Sequence, residues 1–317
     1  MQRDPAQSSF ADALVLGSTN SRLQRIDALL DWPQLVGALG LERKAQTGRP
    51  AYPPTTMLKV LLLQAWYGLS DPAMEDALGD RLSFRRFVGL SLDQAVPDHS
   101  TISRFRQRLL EGDRWQRLLA QVNAQLDAHQ VILRQGTLID ATLIPAAAAE
   151  PPKQVGGGQS PVDPDARWTK RPNGMARFGY KLHLAVDRGS QIARAMVLTS
   201  ANINEITQAA KLVQGDEGAV WADKGYVGPS LREKLAEHGI GNRVQRKASR
   251  TRKLTVWEKR RNTLIGRVRG RIEGVFGALK RSYGLARMRF MGLERNAVAT
   301  CVTLVAWNLA RAADRTV

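Results

Sequence analysis

Three carboxylates stand out by where they fall in the chain. Asp140 lies inside "GTLIDATLI" (136–144), a β-branched, apolar run predicted to be a strand. An ionised side chain among such neighbours is costly unless something pairs with it. Asp223 follows the short apolar run in "GAVWADKGYVG" (218–228) and enters a Gly-containing turn. The ends of strands in open α/β sheets commonly present ligands there. Glu273 is the lone carboxylate of "GRVRGRIEGVFGALKR" (266–281), a helical pattern otherwise rich in arginine and lysine. Brought together, the three would form an oxygen-rich site suited to Mg²⁺, with Mn²⁺ as a substitute. Two such ions about 4 Å apart activate a water or a 3′-hydroxyl and stabilise the leaving oxygen of a phosphodiester.

The helical spacing around Glu273 adds two cations. Arg269 stands four residues before it and Lys280 seven after. At about 100° per residue, the three side chains fall within about 40° of one face. Plainer uses of the same residues stay open. Glu273 could pair with Arg269 at the surface, worth about 0.3–0.5 kcal/mol. Asp140 could cap or pair with a buried arginine, and Asp223 could be a turn residue. Spacing within one sequence does not choose between these.

The charge balance favours a polyanionic partner. The 317 residues carry 47 Lys+Arg against 29 Asp+Glu, a net charge of +18, with a pI near 10.7. Residues 241–290 alone hold 16 Lys/Arg against Glu258 and Glu273. A localised excess of this kind is the footprint of nucleic-acid binding. Cys301 is the only cysteine, which excludes an intrachain disulfide and a cysteine-rich zinc site. "MQRDPAQSSFADALVL" lacks the basic-then-apolar order of a signal peptide, and no apolar run is long enough to span a bilayer. A cytoplasmic, nucleoid-associated protein without membrane contact is expected.

The elements that must position these residues fall into two regions. Residues 1–130 read as helical. "TTMLKVLLLQAWYGL" (55–69) is apolar on more than one face, as a buried helix would be. Ser70 or Asp71 could cap the next helix, with Pro72 in its first turn. In 98–126, Trp115, Leu118, Leu119, Val122 and Leu126 form one helical stripe. Its Ser/Thr-started, arginine-rich beginning, with Ser100, Thr101, Arg104, Arg106 and Arg108, has the character of a helix-turn-helix. From 131 the pattern becomes α/β. The Pro, Ala and Gly-rich stretch 145–178 reads as a flexible insertion. "YKLHLAVD" and "QIARAMVLTS" around "RGS" predict a hairpin. "NEITQAAKLVQG" and "SLREKLAEHG" predict helices. The succession fits an α/β fold with a mixed sheet.

"LIDATLI", "WADKGYVG" and "RVRGRIEGVFGALKRSYGLARMRFMGLERN" resemble the three catalytic segments of bacterial DDE transposases of the insertion-sequence-five family. "YPPTTMLKVLLLQAWYGLSD" and "DHSTISRFRQRL" are similar to that family's N-terminal region, so the resemblance runs from about residue 30 to 312. It implies a helical DNA-binding and assembly region at 1–130. It also implies an RNase H-like catalytic domain at 131–317, a mixed sheet with flanking helices. Asp140, Asp223 and Glu273 would be the catalytic, metal-binding triad, with two ions per site. The implied activity is cleavage at terminal inverted repeats and joining of the freed 3′-hydroxyl to target DNA. Pairing two element ends implies a homodimer on DNA. The related Tyr-Arg-Glu-Lys signature is met by Arg269, Glu273 and Lys280, whereas its tyrosine position is Gly266. By this resemblance Arg269 and Lys280, with the adjoining Arg281, hold DNA.

Arg104 and Arg108 are further DNA-binding candidates on the helix-turn-helix reading. Lys181 and His183 share one side of a strand and could face DNA, though a packed histidine is the plainer use. Trp221 and Tyr226 could stack on an unpaired base near Asp223 or lie in the core. Asp187 belongs to the hairpin turn and is expected to be structural. Two other readings of the chain are a DNA-binding descendant that no longer cleaves and a structural RNA-binding protein.

Overall fold

The computed structural model describes residues 21–42, 51–151, 160–170, 176–249 and 251–315. Seven helices come first: α1 (Ser21–Ala28), α2 (Trp32–Ala38), α3 (Pro54–Tyr67), α4 (Asp71–Asp80), α5 (Leu82–Val88), α6 (His99–Arg108) and α7 (Arg114–Ala128). Helix α3 has every residue from Thr56 to Gln64 buried, so its all-round apolar sequence reflects a central position. Ser70 caps α4, accepting the Ala73 N–H at 3.2 Å. Asp98 rather than Ser100 caps α6, accepting the Thr101 N–H at 2.7 Å. The segment 98–126 is two helices, because Gly112 and Asp113 take left-handed backbone angles between them.

The sheet follows with β1 (Thr137–Pro145), β2 (Arg167–Lys170), β3 (Ala176–Asp187), β4 (Ala193–Ser200) and β5 (Ala219–Ala222). Then come α8 (Pro229–Glu237), β6 (Gly241–Val244), α9 (Val256–Arg269), α10 (Arg271–Ser282) and α11 (Leu293–Ala313). Strand β3 pairs antiparallel with β1 on one side and with β4 on the other, while β5 is parallel to β1 and β6 to β5. Leaving β2 aside, the spatial order is third, second, first, fourth, fifth. This is the mixed, RNase H-like sheet that the resemblance implies.

Alternation along the strands sends side chains to two cores. Leu138, Leu184 and Trp221 join the N-terminal helices, α10 and α11 on one face. Ile139, Ala185, Val220 and Ala222 pack with Leu212, Tyr226, Leu231 and Leu235 on the other. Helix α11 is buried along most of its 21 residues, packing against α7, α3 and α1 and against β4. The change from helices to sheet falls between Ala128 and Thr137, yet both regions share the larger core.

Four departures from the sequence expectations have local causes. The predicted helix in "NEITQAAKLVQG" is two 3₁₀ turns, at 205–207 and 209–212, ended by extended Val213. Strand β6 lies in the basic stretch 241–290, for which the sequence predicts no strand. Its exposed "NR" hides the pattern, and the backbone is held by Arg261, which donates to the Val244 and Asn242 carbonyls. The stretch 145–178 is not uniformly a flexible insertion. Asp163 is fully buried, accepting the Tyr180 hydroxyl and the Gly292 N–H, and β2 pairs with β3. Residues 152–159 and 171–175 of that stretch lie outside the described residues. Finally, the basic helix is jointed at Gly270, between Arg269 and Glu273.

Candidate active site

The site is built on the contact between β1 and β5. Their parallel register pairs Leu138 with Trp221 and Ile139 with Ala222. One step further along both strands brings Asp140 level with Asp223. Both carboxylates project to the face carrying Leu138 and Trp221, since side chains alternate along each strand. Asp223 takes extended angles and caps the turn that follows, accepting the Gly225 N–H at 2.9 Å. Its turn role and its place beside Asp140 are therefore compatible.

Helices α9 and α10 cross this face and bring the third carboxylate. Glu273 sits in the first turn of α10 with its side chain 65% exposed. The guanidinium of Arg269 lies between the acids, ion-paired to Asp140 through Nη1 and 3.4 Å from Glu273 Oε1 through Nη2. Lys280, two turns along α10, donates to Thr142 Oγ1 at 2.7 Å and to the Leu143 carbonyl at 3.0 Å. Thr142 is two residues from Asp140 and so shares its side of β1. The joint at Gly270 keeps Arg269 and Glu273 in contact despite ending one helix and starting another.

The electrostatics are those of crowded acids. Burial pushes the Asp140 carboxyl up to about 6 against the pull of Arg269, and the charges of Asp223 and Glu273 add to the rise. Burial likewise raises the Tyr226 phenol, with the charge of Asp140 contributing. The Tyr226 hydroxyl and Arg269 Nε are buried without a hydrogen-bond partner. Among the described residues, no three His, Cys, Asp or Glu side chains are close enough together to hold a metal ion. The donor set nevertheless suits a hard divalent cation. It consists of carboxylate oxygens, one of them on a carboxyl with a raised pKa. Arg269 now supplies the positive charge that such an ion would bring.

The remaining candidates separate clearly. Arg281 is exposed at the end of α10. Arg104 is exposed on α6, folded back on Ser100 and Thr101, and Arg108 is half-buried against the Leu41 carbonyl. Arg106 turns inward to Asp71 at 2.6 Å and Gln64 at 3.1 Å. Lys181 and His183 do not face a DNA surface. His183 is 0% exposed and bonded to Thr199, and Lys181 is 7% exposed in an ion pair with Glu205 at 2.8 Å. They lie on the covered face of β3, which the charge of lysine and histidine conceals in the sequence. Trp221 and Tyr226 are core residues and offer no stacking surface. Asp187 is fully buried and accepts the N–H groups of Arg134, Gly189 and Ser190, holding the hairpin turn.

The Transposase DDE domain family matches residues 133–309, from the approach to β1 into the last turns of α11. The chain belongs to that family. All three carboxylates of this DDE transposase lie within the matched region. A second match, to the Transposase domain (DUF772), covers residues 12–108 and so most of the N-terminal helices. The cryo-EM structure of a piggyBac transposase synaptic complex with hairpin DNA aligns at a TM-score of 0.43 and 12% identity. The alignment covers 98% of this chain and 76% of that one. Among the described residues, no helix of the transposase is long and apolar enough to cross a membrane.

Two features of the transposase escaped the sequence reading. Glu258 forms a capping box with Thr255 and accepts from Arg246 at 2.6 Å and Arg252 at 2.7 Å. The spacing of "TVWE" carried that signal. Trp257, next to it, is 64% exposed.

Proposed function

We propose that this DDE transposase binds terminal inverted repeats, cleaves at the element's ends and joins the 3′-hydroxyl ends to target DNA. Within its family we place it with the insertion-sequence-five transposases of bacteria, acting on DNA in the cytoplasm. The observation that carries the reading is the register of β1 and β5, which sets Asp140 beside Asp223 beneath the helix bearing Glu273. Asp140, Asp223 and Glu273 would hold two Mg²⁺ ions, which supply an activated water or 3′-hydroxyl and neutralise charge on the leaving oxygen. The chain's own part is to position the phosphodiester and to balance its charge.

In this scheme Arg269 leaves Asp140 and turns to a phosphate oxygen, with Glu273 freed at the same time. Lys280 and Arg281 continue the cationic track along α10. Arg104 and Arg108 serve the helical region, which reads the repeat and assembles two protomers, one per element end. A domain division near residue 130 is a division of labour within one shared core.

The test is incubation of the protein with an inverted-repeat duplex in Mg²⁺. Nicking at the element end, lost in Glu273→Gln, is expected. Tight, repeat-specific binding with no nicking would favour the reading in which the protein has become a silent DNA-binding descendant.

A further inference from the structure

The face of α9 turned away from the sheet has no use in the site described above. Trp257, Arg260, Leu264 and Arg267 fall within about 80° of arc on this helix. All four are exposed, and Val256 and Arg271 extend the patch at either end. Val256 is 70% exposed, Trp257 64% and Leu264 61%, the three largest exposures among the large apolar residues of α9. The only carboxylate on α9, Glu258, is buried on the opposite side. Large apolar side chains set among cations and left in water mark an interaction surface rather than a solvated face.

The surroundings hold Trp257 in place. Glu258 fixes the first turn through its capping box and binds Arg246 and Arg252. Arg246 in turn lies over the Trp257 ring, 5.8 Å from its centroid. Asn262 holds the backbone of Arg246 at both its N–H and its carbonyl, each at 2.9 Å. The indole is thus backed by a guanidinium and open to solvent elsewhere. The same helix ends in Arg269, whose guanidinium turns to Asp140 on the sheet, so α9 carries the candidate site on one face and this patch on the other.

We propose that this face binds DNA carrying unpaired bases, with a base stacked on the open side of Trp257 and the backbone tracked by Arg260, Arg267 and Arg271. The proposal rests on the transposase reading for its choice of DNA. A basic groove with an aromatic platform is the general solution for single strands, because every base offers a π-face. A second copy of the chain is a poor occupant. Two-fold pairing of this patch would oppose cations to cations with no exposed carboxylate on α9 to answer them. An acidic protein would answer the charge but gives no reason for an exposed indole backed by a guanidinium.

The test uses the full chain without divalent ions, so that binding is read apart from cleavage. The probes are an oligothymidylate and a fully paired duplex. Wild type binds both, and Trp257→Ala is expected to weaken oligothymidylate binding by roughly 5- to 100-fold while changing duplex affinity little. Trp257→Phe should recover most of the loss. Arg260→Ala should lower the salt dependence by about one charge on both probes. Equal oligothymidylate affinity of wild type and Trp257→Ala overturns the proposal, as does an equal loss on both probes. Nicking of an inverted-repeat duplex by the wild type, measured in Mg²⁺, shows separately whether the transposase reading stands when this one fails.

Discussion

Arg269 at the end of α9 is ion-paired to Asp140 in the middle of β1, across 129 residues of sequence. The same guanidinium reaches Glu273, so two plain uses of these acids, a buried arginine partner and a surface pair, are realised by one side chain. The pair keeps a buried carboxylate from standing alone, and a divalent ion would do the same.

Removing Arg269 should therefore expose a competition. Arg269→Ala leaves Asp140 without its partner and should cost about 3 kcal/mol in metal-free buffer. Mn²⁺ or Mg²⁺ should raise the Tm of the variant more than that of the wild type, because no cation has to be displaced. Thermal unfolding with and without metal measures both. An equal metal shift in the two proteins would separate Arg269 from the ion site.

Two buried groups make opposite demands on pH. Asp140 is raised from 3.8 to about 6 by burial, so the folded state holds its proton more tightly and stability falls as pH rises through that interval. His183 is lowered from 6.5 to about 4, by burial and then by Lys181, so the unfolded state holds the proton more tightly and stability rises with pH from 4 to 6.5. Each shift amounts to about 3 kcal/mol at about 1.4 kcal/mol per unit, and the two nearly cancel. In metal-free buffer, Asp140→Asn should gain stability on going from pH 4 to 6.5 relative to wild type. His183→Gln should lose stability over the same range. Urea midpoints across the interval check both slopes.

Lys280 joins α10 to β1 through Thr142 and the Leu143 carbonyl. Lys280→Met should destabilise the protein by about 1 kcal/mol through those hydrogen bonds. If Lys280 also meets a phosphate in the complex, the variant's DNA affinity should depend less on salt, by about one charge. Binding titrations at several salt concentrations give the slope.

Gly266 stands where the resemblance places a tyrosine. It lies inside α9, and the nearest atom a Cβ would meet is Gln245 Nε2 at 3.4 Å, the end of a flexible side chain. Gly266→Ala should stabilise the protein by about 0.5–1 kcal/mol and leave DNA nicking unchanged. A loss of nicking with improved stability would mean that a close approach of DNA needs the bare backbone there.

The carboxylates were legible because each interrupts a local pattern, whether an apolar strand, a strand end or a basic helix. Their partner was not, because Arg269 fits equally well as a phosphate ligand and as a counter-ion. Lys181 and His183 misled for the opposite reason. Glu205, from a distant turn, and Thr199, from the neighbouring strand, satisfy them inside the fold, and no spacing along β3 reveals either. The short strand β6 and the turns at 205–212 carry too few residues for periodicity to speak. Trp257 was visible as a letter, but only the packing of α9 shows that it faces outward.

The most direct measurement compares nicking of an inverted-repeat duplex in Mg²⁺ by wild type, Asp140→Asn, Asp223→Asn and Glu273→Gln, with DNA binding checked in each. The account expects cleavage at the element end by wild type alone and retained binding by all four. Cleavage by any of the three variants at the wild-type rate would contradict the assignment of these carboxylates as the catalytic site.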